Sequence, residues 1–175
     1  MADAPLKTIL EAILFASDEP LSGQRLAEAA GDDVTVGMVQ KAVQELLADY
    51  QAQGRAFTVE EIAGGYQLLT RPEYNKYLKK VLRERSRQRF TQAALETLAV
   101  IAYKQPITRV EVEDIRGVAC GDMIRTLIEK GLVRVAGRST ELGHPLLYGT
   151  TKKFLQVFGL SSTKDLPDSK QLVEP

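Results

Sequence analysis

The sequence predicts two tandem winged-helix domains, an α+β fold that is mainly helical. Three observations lead to this prediction: an internal repeat, a capped second helix in each copy, and a change from helical to two-residue apolar spacing after each third helix. Residues 11–31 align with residues 97–117 at a constant offset of 86, with Pro20 matching Pro106. Three helices followed by a β-hairpin are typical of the winged variant of the helix-turn-helix.

The first helix of each domain is predicted from apolar residues three and four positions apart, which form one stripe on a helix. In the first copy the stripe consists of Leu6, Ile9, Leu10, Ile13 and Leu14. In the second copy it consists of Ala94, Leu95, Leu98, Ile101 and Ala102, and Val100 widens the face. Both stripes are expected to face a core.

The second helix of each domain begins at a hydroxyl residue that follows the matched proline by two positions. Ser22 and Thr108 are predicted N-caps, whose oxygens accept from a backbone N–H of the first turn. Glu111 would complete a capping box with Thr108, whereas Arg25 occupies that place in the first copy. Hydrophobic staples and left-handed glycine stops are predicted at matching positions: Leu21, Leu26 and Gly31, then Ile107, Val112 and Gly117.

A third helix and a hairpin complete each copy. The helical apolar residues are Val36, Val39, Val43, Leu46 and Leu47, then Met123, Ile124, Leu127 and Ile128, with Gly131 as a stop. The spacing then changes to two, with a turn at Gly64–Gly65 in the first copy and a longer turn over residues 136–145 in the second.

The domain boundaries follow from these elements. Residues 1–84 are expected to form the first domain together with a connecting helix from about residue 74 to 84. A linker over 85–90 leads to Thr91, a predicted N-cap, and to a second domain over 91–160. Residues 161–175 are polar and broken by proline, which predicts a flexible tail.

Composition excludes several classes of function. Lys and Arg together equal Asp and Glu at 23 each, so the chain exerts no overall pull on nucleic acid or on an anionic membrane. One cysteine and one histidine exclude a disulfide within the chain and the usual metal clusters. The first 20 residues predict neither a signal peptide nor a membrane span. We therefore expect a cytosolic protein without cofactor, metal or small-molecule substrate.

The residues that could carry chemistry have simpler interpretations. Glu111, Glu113 and Asp114 lack a histidine or cysteine nearby in sequence and are expected to form a solvated face with a capping role. Cys120 is expected to be a buried or half-buried thiol, and His144 a turn residue. No catalytic residue is predicted, and the protein is not expected to be an enzyme.

A DNA-binding transcriptional regulator is the alternative function, because winged helices usually place the third helix in the major groove. The charges of the two predicted third helices sum to about zero or less, which does not favour base recognition. The connector, which consists of the predicted connecting helix and the linker, is the exception because it is strongly basic. It could hold phosphates or an acidic partner. We call its cations the connector stripe: Lys76, Lys79, Lys80, Arg83, Arg85, Arg87 and Arg89.

The sequence resembles the ScpB family of segregation and condensation proteins from about Leu6 to Pro167. The most specific stretches are residues 94–118, "ALETLAVIAYKQPITRVEVEDIRGV", residues 127–138, "LIEKGLVRVAGR", and residues 143–160, "GHPLLYGTTKKFLQVFGL", followed by "DLP". Family members commonly have arginine where this chain has His144. A positive charge at that wing position is therefore not required for the resemblance.

The resemblance implies a homodimeric, non-enzymatic architectural subunit, cytoplasmic and associated with the nucleoid. It would bind the kleisin ScpA and, through ScpA, the SMC ATPase during chromosome condensation and segregation, and its first domain would carry much of the dimerisation. Apart from the resemblance, the connector stripe could add a weak, non-specific DNA contact. Because aromatic residues and arginine dominate interface energies, the predicted partner contacts are Tyr103, Arg109, Arg116, Arg138 and Tyr148.

Overall fold

The computed structural model of the protein describes residues 4–81 and 90–167. The chain divides into two compact units, Met1–Ser86 and Arg87–Pro175, whose boundary falls within the linker predicted for residues 85–90. Each unit has three helices followed by a β-hairpin. The predicted fold class, two tandem winged helices, is confirmed.

The first unit follows the predicted order of elements. It contains α1 (Leu6–Ala16), α2 (Gly23–Ala30), α3 (Val36–Ala52), β1 (Phe57–Ile62) and β2 (Gly65–Thr70). A 3-10 turn, Pro72–Tyr74, leads into α4, Asn75–Val81. Helix α4 is the described part of the predicted connecting helix, and residues 82–84 lie outside the described residues.

The core of the first unit lies between α1, α2 and α3. Leu10 and Leu14 of the predicted stripe are buried, whereas its outer members are half-buried. Two polar contacts tie α1 to α3: the Tyr50 hydroxyl donates to Glu11 at 2.9 Å, and the Lys7 ammonium lies 2.6 Å from the Asp49 carboxylate. Burial, together with the Glu11 carboxylate, raises the pKa of Tyr50 well above its ordinary value, so its hydroxyl remains a donor.

The hairpin turn of the first unit lies one residue earlier than predicted. Ala63 and Gly64 form the turn with φ of 53° and 73°, and Gly65 belongs to β2 opposite Ile62. Gly65 has another role. Tyr66 exchanges two backbone hydrogen bonds with Leu21, at 2.8 and 3.0 Å, and a Cβ at position 65 would lie 2.9 Å from the carbonyl carbon and oxygen of Leu21.

The second unit repeats this plan with two additions. Its elements are α5 (Gln92–Lys104), β3 (Ile107–Thr108), α6 (Arg109–Arg116), α7 (Gly121–Glu129), β4 (Val133–Arg138), β5 (Leu146–Thr150) and α8 (Lys152–Phe158). The short strand β3 and helix α8 were not predicted. The strand order is β3-β5-β4, with Ile107 opposite Tyr148, which matches the bridge between Leu21 and Tyr66 in the first unit.

The core of the second unit differs from the predicted stripe at one position of α5. Leu98 and Ile101 are buried as predicted, but Leu95 is 38% exposed and Thr97 takes the buried place. Thr97 can be buried because its hydroxyl donates to the Ala93 carbonyl at 2.9 Å. A pattern that counts only apolar residues does not detect a polar side chain on the inward face.

The predicted caps are confirmed, with one correction to the glycine stops. Ser22 accepts from the Arg25 N–H at 3.2 Å, and Thr108 and Glu111 form the capping box. Gly117 has the predicted left-handed conformation, with φ 68° and ψ 10°. Gly31 does not, because its ψ is 160° and the chain turns directly from residue 31 to Val34 and on into α3.

Residues 161–167 fold back onto the second unit, although the sequence predicts a flexible tail from residue 161. Ser162 and Asp165 cap a 3-10 turn over Thr163–Asp165, Leu166 packs against the core, and the Tyr103 hydroxyl donates to the Pro167 carbonyl at 2.7 Å. Residues 168–175 lie outside the described residues.

The capping box predicts a pH dependence that can be isolated by substitution. The backbone N–H and the hydroxyl of Thr108 donate to Glu111 at 2.8 and 2.7 Å, and these bonds hold its pKa below the ordinary value. A carboxyl whose pKa is depressed by folding stabilises above its unfolded pKa, and this stabilisation is lost as pH falls through the folded pKa. The stability advantage of the wild type over Glu111→Gln should therefore be full near neutrality and shrink in the acid range.

Thermal unfolding of both proteins across the acid range measures this difference. Asp114→Asn is the matched control, because Asp114 is on the exposed side of the same helix and its side chain makes no hydrogen bond among the described residues. A difference between wild type and Glu111→Gln that stays constant with pH would contradict the assigned role of the carboxylate.

Candidate partner-binding surface

The junction between α5 and α6 organises the second unit. Gln105 lies between them, before a cis peptide bond to Pro106. Its side-chain nitrogen donates to the Ala102 carbonyl at 3.0 Å, and its side-chain oxygen accepts from the N–H and hydroxyl of Thr150 at 2.7 and 3.0 Å. One amide thus joins the end of α5 to strand β5. Gln105 is not among the predicted site residues, and its position before Pro106 was the one available signal in the sequence.

Arg116, a predicted partner contact, is engaged inside the unit. Its guanidinium donates to the Ala93 carbonyl and to Glu96, both at 2.8 Å, and also to the Thr97 hydroxyl. The side chain is 13% exposed. Arg116 therefore fastens α6 to the start of α5 and offers little surface to a partner.

Two of the three acidic residues of α6, Glu111 and Glu113, serve helix N-termini. Glu113 accepts from the Cys120 N–H at 2.9 Å, which satisfies a backbone donor at the N-cap of α7. Cys120 is buried as predicted, and its thiol donates to the Val118 carbonyl at 3.2 Å. Arg109 remains largely exposed, with its guanidinium 3.8 Å from Glu113. Of the two arginines on α6, Arg109 is the one available to a partner.

The other predicted contacts lie on or near the sheet. Tyr148 is half-buried and packs against the core, while Tyr103 is half-buried and bonded to Pro167. Arg138 is exposed and donates to the His144 carbonyl at 3.2 Å. A bulge between Val135 and Gly137 shifts the register, so that Arg138 faces the same side of the hairpin as Tyr148. His144 lies in the turn, as predicted, with φ 45°.

Helix α6 also exposes apolar side chains that the sequence analysis did not select. Val110 and Ile115 are 57% and 54% exposed and flank Asp114 on the side turned away from the core. The signal was present for Val110, because the buried Val112 fixes the helical phase and a residue two positions away lies on the opposite side. Ile115 follows Val112 by three residues, so the phase alone does not predict its exposure. We call Val110, Asp114 and Ile115 the α6 outer face. Exposed apolar residues beside charges are typical of protein-binding surfaces.

The connector stripe is described in part. Lys76, Lys79 and Lys80 are exposed on α4 at a spacing that places them on one side of the helix. The Lys76 ammonium lies 4.9 Å from the ring centre of Tyr77. The remaining predicted members, Arg83, Arg85, Arg87 and Arg89, lie outside the described residues.

Neither a metal centre nor a bilayer-spanning helix is found in the part of the chain that the structure describes. No group of three or more His, Cys, Asp or Glu side chains there is placed to hold a metal ion. None of the helices there combines the length and apolar character that crossing a membrane requires.

Comparison with known proteins identifies the family. Residues 8–169 match the family model of "Segregation and condensation complex subunit ScpB". The chain is 47% identical to segregation and condensation protein B of Symbiobacterium thermophilum, over 92% of this chain and 72% of the relative. It is 43% identical to the protein of that name from Syntrophotalea carbinolica, over 99% of this chain and 87% of the relative.

A solved structure is also similar to the chain. It is the dimer of an ScpB N-terminal domain complexed with an ScpA peptide, 34% identical, with a TM-score of 0.41, covering 45% of this chain and 92% of that domain. The assignment itself comes from the family model, which spans both winged helices, and from the full-length sequence relatives. The chain belongs to the ScpB family of segregation and condensation complex subunits.

Proposed function

We propose that the protein is a non-enzymatic architectural subunit that forms a homodimer and binds the kleisin ScpA. Through ScpA it would join the SMC complex and act in chromosome condensation and segregation, in the cytoplasm at the nucleoid. The observation that carries the proposal is the family match over residues 8–169, nearly the whole chain. ScpA is the partner named for the related N-terminal domain, and the proposal brings it to this chain.

The surfaces of both units support a protein partner over base recognition. The third helix of the first unit, α3, carries Lys41, Glu45 and Asp49, and Asp49 is already bonded to Lys7. Helix α7 carries two acids and one arginine. Binding to DNA needs a net positive recognition helix to contact the phosphates, and the charges of neither helix supply one. A transcriptional regulator is therefore the less favoured function.

We assign dimerisation to the first unit and part of ScpA binding to the second. The proposed contacts in the second unit are Arg109, Arg138 and the α6 outer face, because these side chains are exposed. Arg116 is left out, since its guanidinium is held inside the unit. Tyr103 and Tyr148 are half-buried, so each would offer ScpA only the exposed part of its side chain.

Co-purification with the ScpA encoded by the same genome, followed by light scattering, tests the proposal. A complex that survives moderate salt is expected. Val110→Asp should weaken ScpA binding by at least tenfold, since a charge in the centre of an apolar contact costs about 2 kcal/mol or more. Val157→Asp on α8 is the matched control, because Val157 is 51% exposed and lies outside the α6 outer face.

Two results would contradict the proposal at different levels. A folded, dimeric protein that fails to bind ScpA would overturn the function. If Val110→Asp and Val157→Asp bind ScpA equally tightly, the proposed function stands, but the α6 outer face is not part of the interface.

A further inference from the structure

The hairpin and final helix of the second unit carry a local excess of positive charge. Residues 130–158 contain five cations and one carboxylate, although the whole chain is neutral. The cations are Lys130, Arg134, Arg138, Lys152 and Lys153, and the carboxylate is Glu141. This excess is separate from the connector stripe, which belongs to the preceding part of the chain.

Three of these cations belong to the base of the wing, one on β4 and two in the first turn of α8. The Arg134 guanidinium donates to the Thr150 carbonyl at 3.2 Å, directly before the start of α8. The Thr151 hydroxyl donates to the Gly131 carbonyl at 2.6 Å, which holds the first turn of α8 beside the loop between α7 and β4. The stem of Lys153 passes 3.4 Å from the point where a Cβ on Gly131 would lie. We call Arg134, Lys152 and Lys153 the basic wing base.

The basic wing base is open to a ligand. All three side chains are exposed, and no carboxylate among the described residues lies within ion-pair distance of them. Lys130 is adjacent in sequence, but its ammonium lies 5.9 Å from the ring centre of Phe90 and already has interactions there. Lys130 is therefore not assigned to the basic wing base.

We propose that the basic wing base binds the sugar-phosphate backbone of duplex DNA without reading its sequence. Lysine and arginine side chains are usual donors to phosphate, and the three cations of the basic wing base are exposed. Asp122 and Glu129 on α7 would repel a duplex laid along the third helix. Contact is thereby restricted to the wing side, where no base edge is reached.

Duplex DNA is favoured over an acidic protein segment as the occupant. Tight protein contacts centre on an aromatic or aliphatic anchor in a pocket, whereas a DNA strand presents a continuous row of phosphates that exposed cations can contact without one. The inference does not depend on the proposed function, because it follows from the charge and geometry of the second unit and requires no ScpA.

Fluorescence anisotropy with the full-length protein and labelled duplexes of about 30 base pairs, in two unrelated sequences, tests the inference. Both duplexes should bind equally, with dissociation constants in the micromolar range at about 50 mM salt. Three phosphate contacts predict a slope of about −3 for log K against log salt concentration, or a roughly twentyfold loss between about 50 and 150 mM salt.

The variant Lys152→Glu/Lys153→Glu should weaken DNA binding at least tenfold and reduce the slope by about two. It is expected to fold, because acidic residues in the first turn of a helix are favourable. Lys152→Gln/Lys153→Gln, which removes charge without reversing it, should reduce the slope similarly. The matched control is Arg25→Glu/Lys41→Glu, the same charge change at exposed positions of the first unit.

Three outcomes would overturn the inference. The folded protein could fail to bind DNA at low salt, the wing and control variants could lose affinity equally, or poly-glutamate could bind at the wing while DNA does not. ScpA binding measured on the same samples separates this test from that of the proposed function. The wing variants are expected to bind ScpA as the wild type does.

Discussion

Gly65→Ala is expected to destabilise the first unit by about 3 kcal/mol, as overpacking against a rigid neighbour does. The added Cβ would lie 2.9 Å from the Leu21 carbonyl, a backbone group that no rotamer change can move away. Relief requires β2 to separate from Leu21, which breaks the two hydrogen bonds of Tyr66. Chemical denaturation of the full chain measures the loss in the free energy of unfolding. Hydrogen exchange of the α1–α3 amides then shows whether the loss lies in the first unit.

Gly64→Ala is the matched control at the neighbouring position. Gly64 has φ 73° and open space around its Cα, so alanine there meets conformational strain and no clash. Left-handed alanine costs about 1 kcal/mol. If the two substitutions cost the same, or Gly64→Ala costs more, the close approach of β2 to Leu21 is not what requires glycine at position 65.

Arg116→Ala is expected to cost the second unit about 2 kcal/mol, because it removes a nearly buried guanidinium and its three hydrogen bonds between α6 and α5. The Ala93 carbonyl keeps the Thr97 hydroxyl as a partner, but Glu96 loses its charged partner and the interface between α5 and α6 loses its link. The amide protons of α6 should exchange faster as a result. Thermal unfolding and hydrogen exchange of the full chain measure both effects.

Arg109→Ala, at the other end of the same helix, provides the comparison. Its side chain is 59% exposed and its guanidinium lies 3.8 Å from Glu113, and exposed pairs of this kind contribute about 0.5 kcal/mol. An equal loss from the two substitutions would show that the contacts of Arg116 do not fasten α6. ScpA binding should respond in the opposite order, since Arg109 is the arginine proposed to contact the partner.

The sequence was sufficient for features that depend on neighbours within a few residues. Helical spacing located Leu10, Leu98 and Leu127 in the cores, and the hydroxyls of Ser22 and Thr108 marked the helix starts. Such signals are local, because a cap or an amphipathic stripe is complete within a few turns of helix.

Arg116 shows where the sequence was informative but its charge was misleading. It follows Val112 by four residues and so shares the inward side of α6, a position that the repeat filled in the first copy with Ala30, which is half-buried. The prediction treated arginine as a surface residue and therefore missed the inward position of Arg116. The four-residue spacing from Val112, taken without regard to residue type, predicts that Arg116 lies against α5.

Other features depended on contacts between distant residues. Gln105 meets Thr150 across 45 positions, and Tyr103 meets Pro167 across 64. Neither pair belongs to a periodic pattern, so nothing in the sequence relates one partner to the other. The placement of residues 161–167 and the role of Gln105 therefore emerged from the structure.

The bridge between the start of the second helix and the returning strand of the wing has a consequence for folding kinetics. It joins Leu21 to Tyr66 in the first unit and Ile107 to Tyr148 in the second, closing loops of 45 and 41 residues. Because the two loops are so similar in length, the free-energy costs of closing them differ by only about 0.1 kcal/mol. Since topology largely sets the folding rates of small domains, any large difference in rate between the two units must arise from their side chains.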